Sequence, residues 1–142
     1  MIEQALLEAF GSNLVAYYRS HAAHANTTGR NFYSDHKLLQ KIYEELQEQI
    51  DTLGEFLRSI GVKMPPSLGI AIGLSRVYDE PIVGDYLANV EEDLETLVEV
   101  YKDLYDACDD TNIDISNYAQ DRTRELNRFI WMITATVGDE ND

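Results

Sequence analysis

Histidine is scarce in this chain, and its placement is the first pointer to chemistry. All three histidines, His21, His24 and His36, fall in the first 36 of 142 residues. Imidazole binds divalent transition metals at neutral pH, and it does so best where carboxylate or amide oxygens complete the set. Two pairs of such groups follow at helical spacing. His36 and Gln40 are four residues apart, as are Asp51 and Glu55, so each pair projects from one face of a helix. The two pairs are 15 residues apart, which on an α-helix is about 22 Å along the axis. One helix cannot bring both to a single ion. If histidine and carboxylate share a metal, the carboxylates come from a second copy of the chain running antiparallel across a two-fold axis, an isologous contact that creates two equivalent sites.

The elements that must position these residues can be read from periodicity. From Ser34 to Ile60 the apolar residues Leu39, Ile42, Leu46, Ile50, Leu53, Leu57 and Ile60 recur at steps of three and four, which predicts one helix with one buried stripe, capped by Ser34. A preceding helix from about Glu3 to Asn26, with Leu6, Phe10, Leu14, Tyr17 and Tyr18 on or near its inner face, delivers His21 and His24 close to its end. The loop Thr27 to Tyr33 holds Gly29 and Asn31, suited to a tight reversal, so the two helices form an antiparallel hairpin. Gly61 to Pro66 is a helix stop followed by a turn, and Ser67 to Tyr78 reads as a small helix inside a long crossover. A third long helix carries Leu87, Val90, Leu94, Leu97, Tyr101, Leu104 and Cys108 as its stripe, with Glu91, Glu92, Asp93, Glu95 and Glu99 on a solvated face. After the break Asp109 to Asp114, a fourth runs from about Ile115 to Val137 along Tyr118, Arg122, Leu126, Phe129 and Ile133.

At the metal-ligand types the chain resembles the Dps (DNA-protection-during-starvation) mini-ferritins of the ferritin-like superfamily. The matching residues are His24 in a His-Ala-Asn context, Gly29, Asn31 and Phe32 in the loop, then His36, Gln40, Asp51 and Glu55, at the family's spacing throughout. The stretch from Arg122 to Met132, with Trp131, is similar to the family's last helix. Two positions depart from the pattern. Gln40 stands where the family has an Asp ligand, and a neutral amide oxygen binds Fe(II) less strongly than a carboxylate. Ala25 stands where the family has a Trp beside the metal. The resemblance implies an all-α, ferritin-like four-helix bundle over residues 1–142 as a single domain, with a short helix in the crossover between the second and third long helices. It implies assembly into a hollow dodecamer with sites at two-fold interfaces. His24 and His36 of one subunit and Asp51 and Glu55 of its partner would bind iron and oxidise Fe(II) to Fe(III) with hydrogen peroxide, or more slowly oxygen, and Gln40 would add a weak contact. Zn(II), Mn(II) and Co(II) suit the same ligands. The resemblance also makes Asp109, Asp110 and Asp114 candidates for lining three-fold pores.

Each of these residues has a plainer reading. His24 near a helix end can cap free carbonyls. His21 has no counterpart in the family pattern and reads as a neighbour of the site or as exposed. Asp51 and Glu55 share their helix with Glu44, Glu45 and Glu48, and an acidic run is ordinarily a solvated face. Gly54 between them would let another chain approach closely. The three aspartates also serve as caps and turn formers. An intrachain di-iron centre of the larger ferritin type is not expected, since no Glu lies three positions before any His and neither of the last two long helices carries a His.

Composition narrows the remaining function classes. With 26 acidic against 11 basic residues, the net charge is −15, and a shell of about twelve copies carries roughly −180. The first lysine is Lys37, and basic residues gather only from Arg58 to Lys63 and at Arg122, Arg124 and Arg128. DNA binding, which needs clustered cations on phosphate, is therefore not expected. No apolar run is long enough to span a membrane and no secretory pattern is read at the N-terminus, so a cytoplasmic location is expected. Cys108 is the sole cysteine and reads as a buried, unreactive thiol. The function expected is iron oxidation and storage that protects against oxidative damage. The competing readings are a DNA-compacting protein, and a catalytically weak shell whose site is blunted by Gln40 and Ala25.

Overall fold

Four long helices and one short helix make up the described residues, in the order α1 (Ile2–Asn26), α2 (Phe32–Ser59), α3 (Leu68–Gly73), α4 (Tyr86–Ala107) and α5 (Ile113–Val137), with a 3-10 turn at Asp110–Asn112. The computed structural model describes residues 1–138; the last four residues of the expected domain lie outside the described residues. No strand occurs among the described residues. The fold is the expected all-α, ferritin-like four-helix bundle, with its short helix in the crossover. Helices α1 and α2 form one antiparallel hairpin and α4 and α5 another, packed through α1 against α4. The connection from residue 60 to residue 85 returns the chain so that α2 and α4 run parallel.

Helices α2 and α4 form for the reason the sequence suggested. Leu39, Ile42, Leu46, Leu53 and Leu57 of α2, and Leu94, Leu97, Tyr101 and Leu104 of α4, are fully buried. Truncating any one of these leucines to alanine costs about 2–5 kcal/mol, depending on how far the cavity collapses. Asp85 caps α4 by accepting from Ala88 N at 3.0 Å, and Ser67 caps α3 by accepting from Ile70 N at 3.2 Å.

Several boundaries differ from expectation. Helix α2 starts at Phe32 with Asn31 as its N-cap, so Ser34 lies inside the first turn and donates to Asn31 O at 3.1 Å instead of capping. The small helix is six residues, shorter than Ser67 to Tyr78, because the Ser75 hydroxyl donates to Val77 O at 2.6 Å and accepts from Val77 N at 3.0 Å. That local turn competes with helix continuation. Helix α4 stops at Ala107, which makes Cys108 its C-cap. The thiol is half-buried, donates to Leu104 O at 3.2 Å, and is pushed up in pKa by burial and then by Asp109 and Asp114.

Helix α1 is buried on more than one face because the crossover covers the side that the bundle does not. Its polar residues Ser12, Asn13, Arg19 and Ser20 are buried and fasten the neighbours. Ser12 accepts from Arg76 N at 2.8 Å, Asn13 donates to Leu46 O at 2.8 Å, and Arg19 donates to Glu80 O and to Asp93 Oδ2. Tyr18, expected on the inner face, is 69% exposed. Gly11 is the crossing point with α3, since a Cβ there would sit 2.3 Å from Ala71 O. Gly54 serves the same purpose within the chain: a Cβ would meet Met64 Sδ at 2.9 Å, so the close neighbour is the chain's own Met64.

Candidate metal centre

The hairpin of α1 and α2 brings His24 and His36 into reciprocal contact. His24 Nδ1 donates to His36 O at 2.8 Å, and His36 Nδ1 donates to His24 O at 2.7 Å. His24 O belongs to the last turn of α1, where helical carbonyls lack an intrahelical donor, so His36 supplies the cap that His24 itself was a candidate to provide. Each Nδ1–H is thereby committed to a backbone carbonyl, which fixes the tautomer and leaves both Nε2 lone pairs as the atoms that could bind a metal. The two rings stack with centroids 3.7 Å apart. Phe32 stacks on His36 at 4.8 Å and Tyr43 meets the His24 ring edge-on at 5.0 Å. His21 lies beside this group, stacked on Tyr43 at 3.8 Å, half-buried and so a neighbour of the site rather than a freely exposed side chain.

Gln40 lies one turn beyond His36 and is half-buried. Its Nε2 donates to Glu44 Oε1 at 2.9 Å, which leaves the amide oxygen as the only atom it could offer a cation. Asp35, next to His36, carries a buried Oδ1 with no hydrogen-bond partner. Burial, and then the charge of Asp85, raise its carboxyl above the usual range.

Asp51 and Glu55 are on the same unbroken helix, exposed to solvent, and neither forms an ion pair among the described residues. The helix holds them about 22 Å from His36. Among the described residues no group of three or more histidine, cysteine or acidic side chains comes together to hold a metal. The chain thus presents an oriented pair of imidazoles at one end of α2 and an unpaired set of two carboxylates toward the other.

The remaining candidates separate clearly. Asp109 is occupied: its Oδ1 accepts from Thr111 N at 2.8 Å and Thr111 Oγ1 at 2.6 Å, closing a capping box with Asn112. Those hydrogen bonds hold its carboxyl below the usual range. Asp110 is exposed in the 3-10 turn and Asp114 is exposed in the first turn of α5.

Two buried ion pairs have no place in the sequence reading. Glu45, grouped there with a solvated acidic run, takes both Nη atoms of Arg122, whose side chain is 4% exposed in the bundle interior. Asp93, assigned to the solvated face of the third long helix, is buried against Arg19 at 2.7 Å. Burial raises its carboxyl, and the bond and charge of Arg19 oppose that rise. The signal available was Arg122 itself, a cation at a stripe position of α5. Arg124 and Arg128 pair with Asp121 and Glu125 of their own helix, so the basic set on α5 is spent within the chain.

The ferritin-like domain family matches residues 3–141. A DNA protection during starvation protein of Helicobacter pylori is 28% identical over 127 residues, covering 86% of this chain and 88% of that one. The crystal structure of antigen TpF1 from Treponema pallidum superposes with a TM-score of 0.89 at 26% identity, over 97% of this chain and 92% of that one. A Dps protein of Vibrio cholerae, described as a member of a broad superfamily of ferritin-like diiron-carboxylate proteins, superposes at 0.88 with 20% identity, over 96% and 89% of the two chains. The chain belongs to the ferritin-like domain family, and within it to the group that resembles the Dps proteins.

Proposed function

We propose that this protein is an iron-oxidising, iron-storing mini-ferritin whose sites form between subunits. The observation that carries the reading is the reciprocal pair of imidazole–carbonyl bonds, which holds two Nε2 lone pairs ready on a chain that shows no complete ligand set of its own among the described residues. His24 and His36 from one subunit, with Asp51 and Glu55 from its two-fold partner, bind Fe(II) as substrate. The carboxylates offset the charge that grows as Fe(II) becomes Fe(III). Gln40 contributes at most its amide oxygen. Peroxide is the preferred oxidant and oxygen the slower one, the product is a hydrous ferric oxide core, and the benefit is removal of Fe(II) and peroxide together. Zn(II) would compete for the same ligands.

We extend the proposal to one ferritin-like domain over residues 1–142, a dodecameric shell and a cytoplasmic location; no helix among the described residues is long and apolar enough to cross a membrane. Asp110 and Asp114 are the better pore candidates, since Asp109 is engaged in its cap. The DNA protection in the Helicobacter pylori relative's name is not carried over. A net charge of −15 and the internal pairing of Arg122, Arg124 and Arg128 leave little cationic surface for phosphate.

The test is anaerobic Fe(II) loading of the sized assembly, followed by peroxide, with ferric absorbance recorded against a His36→Ala/Asp51→Ala variant. Fast oxidation that disappears in an intact variant cage supports the interchain site. Oxidation no faster than buffer sinks the proposal and favours a weak shell, the reading that the engagement of Gln40 with Glu44 would then explain.

A further inference from the structure

Peroxide takes two electrons, and a single Fe(II) gives one. A site that holds one iron when peroxide arrives therefore releases hydroxyl radical unless the protein supplies the second electron. Tyrosine is a side chain that can give one, but a phenol parts with an electron readily only if its proton leaves at the same time, which requires a base within hydrogen-bond reach. The chain has nine tyrosines, and among the described residues Tyr17 is the one whose hydroxyl meets such a base: its oxygen is 3.0 Å from His21 Nδ1. Tyr118 donates to an amide oxygen, Gln49 Oε1, at 2.7 Å, and the Tyr101 hydroxyl is buried without a partner.

The surroundings of Tyr17 connect it to the metal centre. Its ring is 6.3 Å from that of Tyr43, and Tyr43 is 5.0 Å from His24. Tyr43 also lies flat against His21, at 3.8 Å and 4° between planes, so the proton acceptor is locked in place. Tyr17 is half-buried, which limits attack on a radical by solutes. The histidine without a counterpart in the family pattern and the aromatic cluster around it thus form one connected unit ending at a metal-binding imidazole.

We infer that Tyr17, paired with His21 and reached through Tyr43, is a one-electron donor that completes the reduction of peroxide at a singly loaded iron site. This rests on the iron-oxidising reading above. The O–O bond of peroxide breaks and two waters form. Fe(II) gives one electron and becomes Fe(III); Tyr17 gives the other and becomes a phenoxyl radical. The phenolic proton passes to His21 Nδ1 while the imidazole's Nε2 proton goes to solvent, and the two protons needed by the waters are drawn from solvent, a net uptake of one. A second Fe(II) later returns an electron to the radical, with a proton, restoring the phenol and leaving a second Fe(III).

The experiment is rapid freeze-quench electron paramagnetic resonance on assembled cages given Fe(II) below one per subunit and then peroxide, with ferric absorbance followed in parallel and a nitrone present to trap hydroxyl radical. Ring-deuterated tyrosine identifies the radical by narrowing its signal. Wild type is expected to give a tyrosyl signal, reduced about tenfold or more in Tyr17→Phe, with trapped hydroxyl radical rising in its place. His21→Phe, which keeps an aromatic ring beside Tyr43 and removes the base, is expected to lose the signal although Tyr17 is present. Tyr18→Phe, which alters an exposed neighbour, is expected to keep it. Fast ferric formation with no tyrosyl signal, or a signal undiminished in Tyr17→Phe, overturns the role of Tyr17 and leaves the iron-oxidising reading intact. Ferric formation no faster than in buffer overturns both.

Discussion

The division of the proposed site between two chains can be tested by mixing two crippled subunits. One variant carries His24→Ala and His36→Ala with its carboxylates intact; the other carries Asp51→Ala and Glu55→Ala with its histidines intact. Each alone assembles cages in which every two-fold site lacks one half. At an interface between the two variants, one site receives both lesions and the other receives the native histidines of one chain and the native carboxylates of the other. With random pairing at equal amounts, half the interfaces are mixed and each holds one native site of two, so about one quarter of wild-type activity returns from two inactive proteins. The variants are to be coexpressed, the mixed cages sized, and peroxide-driven ferric formation measured at equal total subunit. The Asp51 and Glu55 side chains are exposed and unpaired, so their removal leaves the fold intact and the comparison clean. Mixed cages of confirmed composition that stay as inactive as their parents would refute the interchain division. So would strong activity in either parent alone.

Three further outcomes follow from the same geometry. Gln40→Asp replaces the amide held by Glu44 with a charge, and Fe(II) affinity measured by anaerobic calorimetry is expected to rise roughly tenfold; equal affinities would remove Gln40 from the metal's surroundings. Glu45→Gln strips the buried Arg122 guanidinium of its countercharge, at about 3–5 kcal/mol per subunit or roughly 10–17 °C in melting temperature. The double change Glu45→Leu/Arg122→Met should recover most of that loss by scanning calorimetry of intact cages, and a double variant as unstable as the single one would show that packing, not charge, is at stake. The Cys108 thiol, raised by burial and then by Asp109 and Asp114, holds a smaller thiolate fraction than free cysteine until both are fully ionised. Its alkylation should therefore be slower than that of a free thiol at about pH 8, keep rising where the free thiol levels off, and speed up in Asp109→Asn/Asp114→Asn. A rate matching glutathione across the pH range would contradict this.

Much of the fold was legible because α2 and α4 bury one stripe each, and a single stripe leaves a period of three and four in the sequence. Helix α1 was harder. The crossover packs on a face that a bundle helix ordinarily gives to solvent, so Ser12, Asn13 and Arg19 are interior although their types suggest surface. Gly11 gave no sign of its role because the atom it accommodates, Ala71 O, belongs to a backbone 60 residues away. Glu45 and Asp93 were misread for a related reason: a carboxylate on an acidic helix looks solvated until its partner is known, and both partners lie on other helices. At the site, His24 and His36 were singled out by type and by resemblance. The carbonyls that orient them were not foreseeable, since a backbone acceptor carries no residue signature. Nor was Tyr43 marked out among nine tyrosines before its ring was found between His21 and His24.

The unbroken helix α2 acts as a measuring rod for a site that it does not complete. Any change of length between His36 and Asp51 acts on the proposed centre in two ways at once: one inserted residue turns the carboxylates by about 100° and slides them about 1.5 Å, whereas two full turns would restore their direction and displace them about 10 Å. Because the two-fold axis repeats the error in the facing chain, neither site escapes it. The loop of residues 27–31 and the crossover past Gly73 can absorb insertions at their surfaces, but on the proposed reading this span is held to one length by the distance between two proposed ligand sets that never meet in their own chain.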